Sequence, residues 1–170
     1  MRTDLAQSPA QSDHFIEPAG RVVITVSLEQ GVPLGRLLEA QLASFYEQVD
    51  LGGPEVVLQP AIALTFATVI NELAVNAARY GALSDTAGKV QVHWAVDEQS
   101  DPSTLLFLWE EIGGRCVASR TNSGSDWNDI EALTRDLGKP RVDFASGGLK
   151  YELRIPLDQV RFRNQREAVK

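Results

Sequence analysis

Cysteine is almost missing from this sequence: Cys116 is the single one in 170 residues. One cysteine forms no internal disulfide and no cysteine-rich zinc site. It stands in a Gly/Ser-rich stretch with no histidine beside it and reads as a bystander. Long apolar runs are missing too. No stretch approaches the about 20 residues that a membrane span needs, and Met1–Phe15 lacks the apolar centre of a signal peptide. An excess of basic charge is absent: 16 Lys and Arg stand against 23 Asp and Glu, a net charge of −7. Such a chain repels a phosphate backbone, so nucleic-acid binding is not expected. The basic residues Arg161, Arg163, Arg166 and Lys170 read as a solvated tail over 161–170. A reducing, cytoplasmic compartment is the expectation from these absences.

What is present is the composition of one globular domain, 44% apolar and 23% charged. No internal repeat is visible. Residues 1–19 are rich in Ser, Gln, Asp and Pro and read as a disordered N-terminal segment; 20–160 form the domain. Arg21–Ser27 is rich in β-branched residues and predicts a strand. Pro33 opens a helical pattern in which Leu34, Leu37, Leu38, Leu42, Phe45 and Val49 recur at three- and four-residue spacing. Gly52-Gly53-Pro54 breaks it, and Val56–Leu58 is a short strand. Pro60 begins the strongest helix, with Ile62, Phe66, Val69, Ile70, Leu73 and Ala77 on its apolar face and Gly81 as its stop.

Two strands follow directly, Val90–Val96 and Thr104–Trp109. Residues 113–125 are a Gly/Ser/Thr/Asn-rich loop. Asp126 caps a predicted helix from Trp127 to Leu137, ended by Gly138. Arg141–Phe144 and Tyr151–Ile155 make a last pair of strands joined through Gly147-Gly148. Strands that follow strands directly, interrupted by helices, predict an α/β (α+β) two-layer sandwich, one mixed and mostly antiparallel sheet covered by three helices. They fit a Rossmann alternation poorly.

The chemistry concentrates in two segments. In Asn71-Glu-Leu-Ala-Val-Asn-Ala-Ala-Arg-Tyr-Gly81, Glu72 and Asn76 lie four apart and share a helix face. A carboxylate and an amide on a mostly apolar helix are costly unless both find partners. Two explanations serve: a satisfied hydrogen-bond pair at a helix edge, or a site where the Asn76 oxygen binds Mg²⁺ and Glu72 acts on a proton or a water. In Trp109-Glu-Glu-Ile-Gly-Gly114, an acidic residue leaves a strand just before glycines that admit a flat ligand. Glu111 suits an exocyclic amine such as that of adenine; a polar strand end is the alternative.

Together the two segments resemble the H-E-L-x-x-N-A-x-K-Y-G and W-x-E-x-G-G-P boxes of the HWE group of bacterial histidine kinases. Ala82-Leu83-Ser84, the strand Val90–Trp94, and the closing Asp143-Phe144, Gly148-Leu149 and Ile155-Pro156-Leu157 extend the likeness over 33–157. The resemblance implies the Bergerat ATP-binding fold, with ATP and Mg²⁺ as ligands. It assigns Asn76 to Mg²⁺, Glu72 to the phosphoryl-transfer site and Glu111 to adenine. Arg79 falls near the phosphates, Tyr80 in the pocket wall, Gly113 and Gly114 beneath the nucleotide, and Gly124 in the phosphate-wrapping turn.

The sequence departs from the family in definite places. Asn71 replaces the box histidine, Arg115 the proline after Gly-Gly, and Arg79 the lysine, which keeps the charge and changes the geometry. Where the family has a second G-x-G, this chain reads Ser123-Gly124-Ser125, followed by Asp126 and Asp129, whose carboxylates oppose phosphate. A phosphoacceptor hairpin needs about 50 residues or more by helix arithmetic, and only about 20 precede the first predicted strand. Neither His14 nor His93 has phosphoacceptor surroundings. The expectation is a two-component signalling domain without its own phosphoacceptor, monomeric by default. It either passes a phosphoryl group to a partner in trans or, as a degenerate domain, docks a kinase or response regulator. A gyrase-type ATP hydrolase fits less well, since nothing suggests its transducer domain.

Overall fold

In the computed structural model, residues 31–113, 125–135, 137, 138, 140–145 and 147–162 are described. The disordered-segment expectation for 1–19, the strand predicted at Arg21–Ser27 and residues 163–170 of the basic tail lie outside them, as do Gly114 and Gly124.

A five-stranded sheet forms the frame, in the order β2 (Val49–Gly52), β4 (Lys89–Asp97), β5 (Thr104–Ile112), β7 (Gly148–Pro156), β6 (Arg141–Ala145). Only β2 runs parallel to its neighbour; the other three pairings are antiparallel. The helices α1 (Leu34–Gln41), α2 (Pro60–Tyr80) and α3 (Ser125–Thr134) join the sheet in the core, and a short α4 (Leu157–Val160) follows β7. A two-stranded ribbon pairs β1 (Val32–Pro33) with β3 (Val57–Leu58).

The period-2 pattern of the strands explains which face is covered. Val90, Val92 and Trp94 of β4, Leu105, Phe107 and Trp109 of β5, and Leu149, Tyr151, Leu153 and Ile155 of β7 are all buried. Their alternates, among them His93, Lys150 and Arg154, face outward, and Lys150 pairs with Glu110 there at 3.9 Å. Helix α2 crosses the buried face with Ala63, Phe66, Val69, Ile70, Leu73, Ala74, Asn76 and Ala77 inside. Phe66 meets Phe107 edge to face, ring centroids 5.5 Å apart. Against the expectation that no stretch approaches a membrane span, α2 is by length and composition apolar enough to cross one, the one such helix among the described residues; its packing on the sheet is that of a core helix.

Three local expectations differ from the structure. The helical pattern through Val49 ends at Gln41; after a turn of 3₁₀ helix at Ala43–Phe45, Val49–Gly52 pairs with Val90–His93 as β2. Ladder pairing along a waiting strand outweighs a spacing that still fits a helix. The strand read as ending at Trp109 continues to Ile112, which puts Glu111 on its buried face. Helix α3 already includes Ser125, so Asp126 stands within it rather than at its cap, and it ends at Thr134 rather than Leu137. The amides of Leu137 and Gly138 both donate to the Thr134 carbonyl, at 2.9 Å each.

Tyr151 lies in the seam between α2, α3 and the sheet, near Thr65 and Thr134. It is fully buried, and its hydroxyl makes no hydrogen bond of full geometry. Burial pushes this phenol up from 10.0 to about 12, partly offset by the Thr134 hydroxyl. A group whose proton is held more tightly in the fold stabilises it below the unfolded value, and that contribution is lost as pH rises through the folded one. Stability should therefore fall between pH 10.0 and about 12. Tyr151→Phe should flatten that fall and change neutral stability little, because the hydroxyl lacks a good partner. Urea midpoints of both proteins at about pH 9 and about pH 11 read the difference.

Candidate functional site

Two sequence segments that lie thirty-odd positions apart converge at the C-terminal end of α2. Pro60 starts that helix in the position proline favours, and its apolar residues hold it across the sheet. Its last three turns carry Glu72, Asn76, Arg79 and Tyr80. Asn76 is buried, with 1% of its surface exposed, and its Nδ2 has no hydrogen-bond partner among the described residues. Glu72, one turn earlier, is half-buried, while Arg79 and Tyr80 are exposed. Thus the two polar groups that share a face differ in environment: the amide is dry and the carboxylate is partly wet. Glu72 does not hydrogen-bond Asn76 in any contact of the described residues, so the bland pairing expected from spacing does not form.

Opposite the helix end, β5 delivers Glu111. Its register neighbour on β4 is Val90, and only 5% of it is exposed. A buried carboxylate must be met by donors. One is the Ala82 backbone amide, which donates to Glu111 Oε2 at 2.9 Å. Ala82 begins the short 3₁₀ turn Ala82–Ser84 that follows α2. This one bond therefore ties the helix end to the fifth strand. Gly113, just past β5, has φ +73, a left-handed conformation that favours glycine.

Gly81 caps the helix, as the sequence expects of a glycine stop. Its φ is −114 and its ψ −151, an extended geometry open to any residue. What excludes a side chain there is space: a Cβ at Gly81 would overlap Glu111 Oε2, with Cδ at 2.8 Å and the Ala77 Cα at 3.0 Å. Gly148 stands on the other side of the same residue, at φ +140, where a Cβ would overlap the Glu111 carbonyl oxygen. Gly88 likewise sits against the Ala82 carbonyl. Sequence reasoning missed Ala82, Gly88 and Gly148 as neighbours of the site. A backbone amide has no sequence signal, and the Gly147-Gly148 pair signalled only a turn.

The structure thus sets Glu111 against Gly81 and Ala82, just past the helix whose C-terminal half carries Glu72, Asn76, Arg79 and Tyr80, and Gly113 follows Glu111 by two residues. Among the described residues no three His, Cys, Asp or Glu side chains cluster as a metal cage. The donor set instead fits an ion that shares its ligands: an amide oxygen is a hard ligand, and Mg²⁺ completes its shell with water and phosphate. The orphaned Asn76 Nδ2 fits as well, since a phosphate oxygen is the acceptor it lacks.

No family model matches the chain. Among curated proteins it is similar to a blue-light-activated histidine kinase of Erythrobacter litoralis, 31% identical over 119 residues, which covers 68% of this chain and 32% of that one. It is also similar to a blue-light-activated histidine kinase of Brucella anthropi, 31% identical over 133 residues, covering 75% of this chain and 27% of that one. The chain therefore spans about a third of the length of these relatives. Among solved structures, the histidine kinase domain of the Erythrobacter litoralis protein superposes with a TM-score of 0.59 at 21% identity, over 81% of this chain and 72% of that one. That likeness shows the mixed α/β fold of a histidine-kinase catalytic domain.

Proposed function

We propose, from the premise that this chain carries the ATP-binding domain of the HWE-type histidine kinases, that its site binds ATP with Mg²⁺ and passes the γ-phosphoryl group to a separate protein. The observation that carries the reading is the buried amide of Asn76, with a donor that no described residue satisfies. Leaving such a donor unmade costs about 1–3 kcal/mol, a cost that a ligand reaching the amide would recover.

Asn76 would hold Mg²⁺ through its amide oxygen and a phosphate oxygen through its Nδ2. The ion, when bound, neutralises charge on the transferring phosphoryl group. Glu111, with Oε2 fixed by the Ala82 amide, accepts from the exocyclic amine of adenine. Arg79 in the last turn of α2 supplies a cation to the phosphates. Tyr80 would wall the pocket and Gly113 would lie under the nucleotide; the resemblance alone assigns Gly114 to the same place and Gly124 to the phosphates. Glu72, partly wet and one turn from Asn76, takes the proton from, or orients, the accepting group. The partner is a response regulator or another phosphoacceptor protein of a two-component pathway, met in the cytoplasm.

A second reading, a docking domain without turnover, is favoured by Ser123-Gly124-Ser125 followed by Asp126 and Asp129. Glu72→Gln separates the two. In a catalytic domain, with a phosphoacceptor protein present, it should keep nucleotide affinity and lower conversion of ATP to ADP by about 10²-fold. Conversion that is absent from the wild type with that acceptor present, beside intact binding, would instead support the docking domain.

A further inference from the structure

We infer that Gly81 and Gly148 are positioning residues for Glu111. Gly81 leaves the slot that the carboxylate occupies against the Ala82 amide, Gly148 leaves the space for the backbone carbonyl and Cβ of the same residue, and together they set which base the site accepts. The inference rests on the nucleotide reading above for its selectivity, but the slot itself is a property of the free protein.

The geometry is specific. A Cβ at Gly81 would overlap the end of the Glu111 side chain, and a Cβ at Gly148 would overlap its backbone carbonyl and come within 2.9 Å of its own Cβ. The residue is thus bounded on both sides by positions where a methyl group has no room. Between them, Oε2 takes the Ala82 N–H at 2.9 Å. The Ala82 carbonyl is in turn pressed against Gly88, where a Cβ would also overlap it. Three glycines therefore make room for the two residues that share this hydrogen bond, Gly81 and Gly148 for Glu111 and Gly88 for Ala82. That bond joins the helix bearing Asn76 and Arg79 to the strand bearing Glu111. With one carboxylate oxygen committed to the backbone, the swing of the group is restricted, and an amine on the base meets a positioned acceptor. A carbonyl in the same place meets oxygen against oxygen. The same slot therefore admits a 6-amino purine and rejects a 6-oxo purine.

The two glycines differ in what they tolerate. At Gly81 the atom in the way is the end of a side chain, so Gly81→Ala should displace the carboxylate and leave the fold standing. At Gly148 the obstacle is backbone and φ is +140, so Gly148→Ala should also destabilise. Gly147, with nothing within 4 Å of a built Cβ, is the control.

The first readout is the Ala82 amide in ¹H–¹⁵N spectra of the free protein. Glu111→Gln should move its proton upfield, since a charged acceptor becomes neutral. Gly81→Ala should move it in the same direction by at least half as much, and Gly147→Ala should leave it in place. The second readout is calorimetric affinity for ADP and for IDP, whose base carries a carbonyl where adenine has its amine. Gly81→Ala should weaken ADP by about tenfold, the value of one hydrogen bond to a charged group, and leave IDP within about twofold. An unmoved Ala82 amide in folded Gly81→Ala would overturn the slot. Equal losses for ADP and IDP would overturn its role in selection. A wild type that binds neither nucleotide, with the amide shifted as expected, would remove the nucleotide reading and leave the slot established. Should Gly81→Ala not fold, Glu111→Ala with Gly81→Ala decides: the double variant should fold, because removing the carboxylate makes the room the methyl needs.

Discussion

Replacing Asn76 by alanine should abolish magnesium-dependent nucleotide binding while leaving the domain as stable as before. The two halves of this expectation have separate physical causes. In the free protein the amide is buried to 1% exposure and its Nδ2 has no described partner. Removing a buried donor that makes no hydrogen bond is close to neutral, or stabilising, because the desolvation cost disappears with it. The thermal midpoint of Asn76→Ala should therefore stay within a few degrees of the wild type or rise. In the complex, the same amide is asked to supply a metal ligand and a donor to phosphate. Losing both should cost about a hundredfold or more in affinity, which is about 2.7 kcal/mol. A strong loss of stability with binding retained would mean that the amide serves the core rather than a ligand.

The largest stability effect should come from Trp109→Ala. Trp109 is fully buried at the middle of the sheet, opposite Val92 on β4 and Tyr151 on β7. Truncation of a buried aromatic residue costs about 3–5 kcal/mol, a large share of the about 5–15 kcal/mol that holds an ordinary domain together. At roughly 2–4 °C per kcal/mol for a chain of this size, the midpoint should fall by about 10 °C. The indole Nε1 is buried without a partner among the described residues, so Trp109→Phe should cost much less than the alanine change. It keeps most of the apolar volume and removes the orphaned donor. Circular dichroism melts of the three proteins give the comparison. Equal losses for the two variants would place the contribution in the indole N–H instead.

Much of the architecture was legible because periodicity is strong where burial is one-sided. The alternation of Val90, Val92 and Trp94 and the long apolar face of α2 state their elements outright. The likeness of 71–81 and 109–114 to two kinase boxes supplied the fold and the pairing of the two segments. Local chemistry was read less well. Val49 continues a helical spacing and yet belongs to a strand, because four residues are too few to declare alternation and the open edge of β4 decides the matter. Glu111 was read as leaving a strand when it lies inside one, since the strand pattern of 104–109 fades just where a carboxylate replaces an apolar residue. Gly81 was read only as a helix stop and is needed for its missing side chain. What a glycine makes room for depends on residues far away in sequence, here Glu111, and no local window contains it. Gly114 and Gly124 lie outside the described residues, and their roles stay with the proposal.

The central claim is that this domain binds a nucleotide through Mg²⁺. Calorimetric titration of the whole chain with ADP and a non-hydrolysable ATP analogue, with and without Mg²⁺, tests it most directly. The account predicts saturable binding that strengthens with Mg²⁺ and is lost in Asn76→Ala and Glu111→Ala, both folded by circular dichroism. No binding up to about millimolar ligand by a folded wild type would contradict it and leave a docking domain with the shape of a kinase.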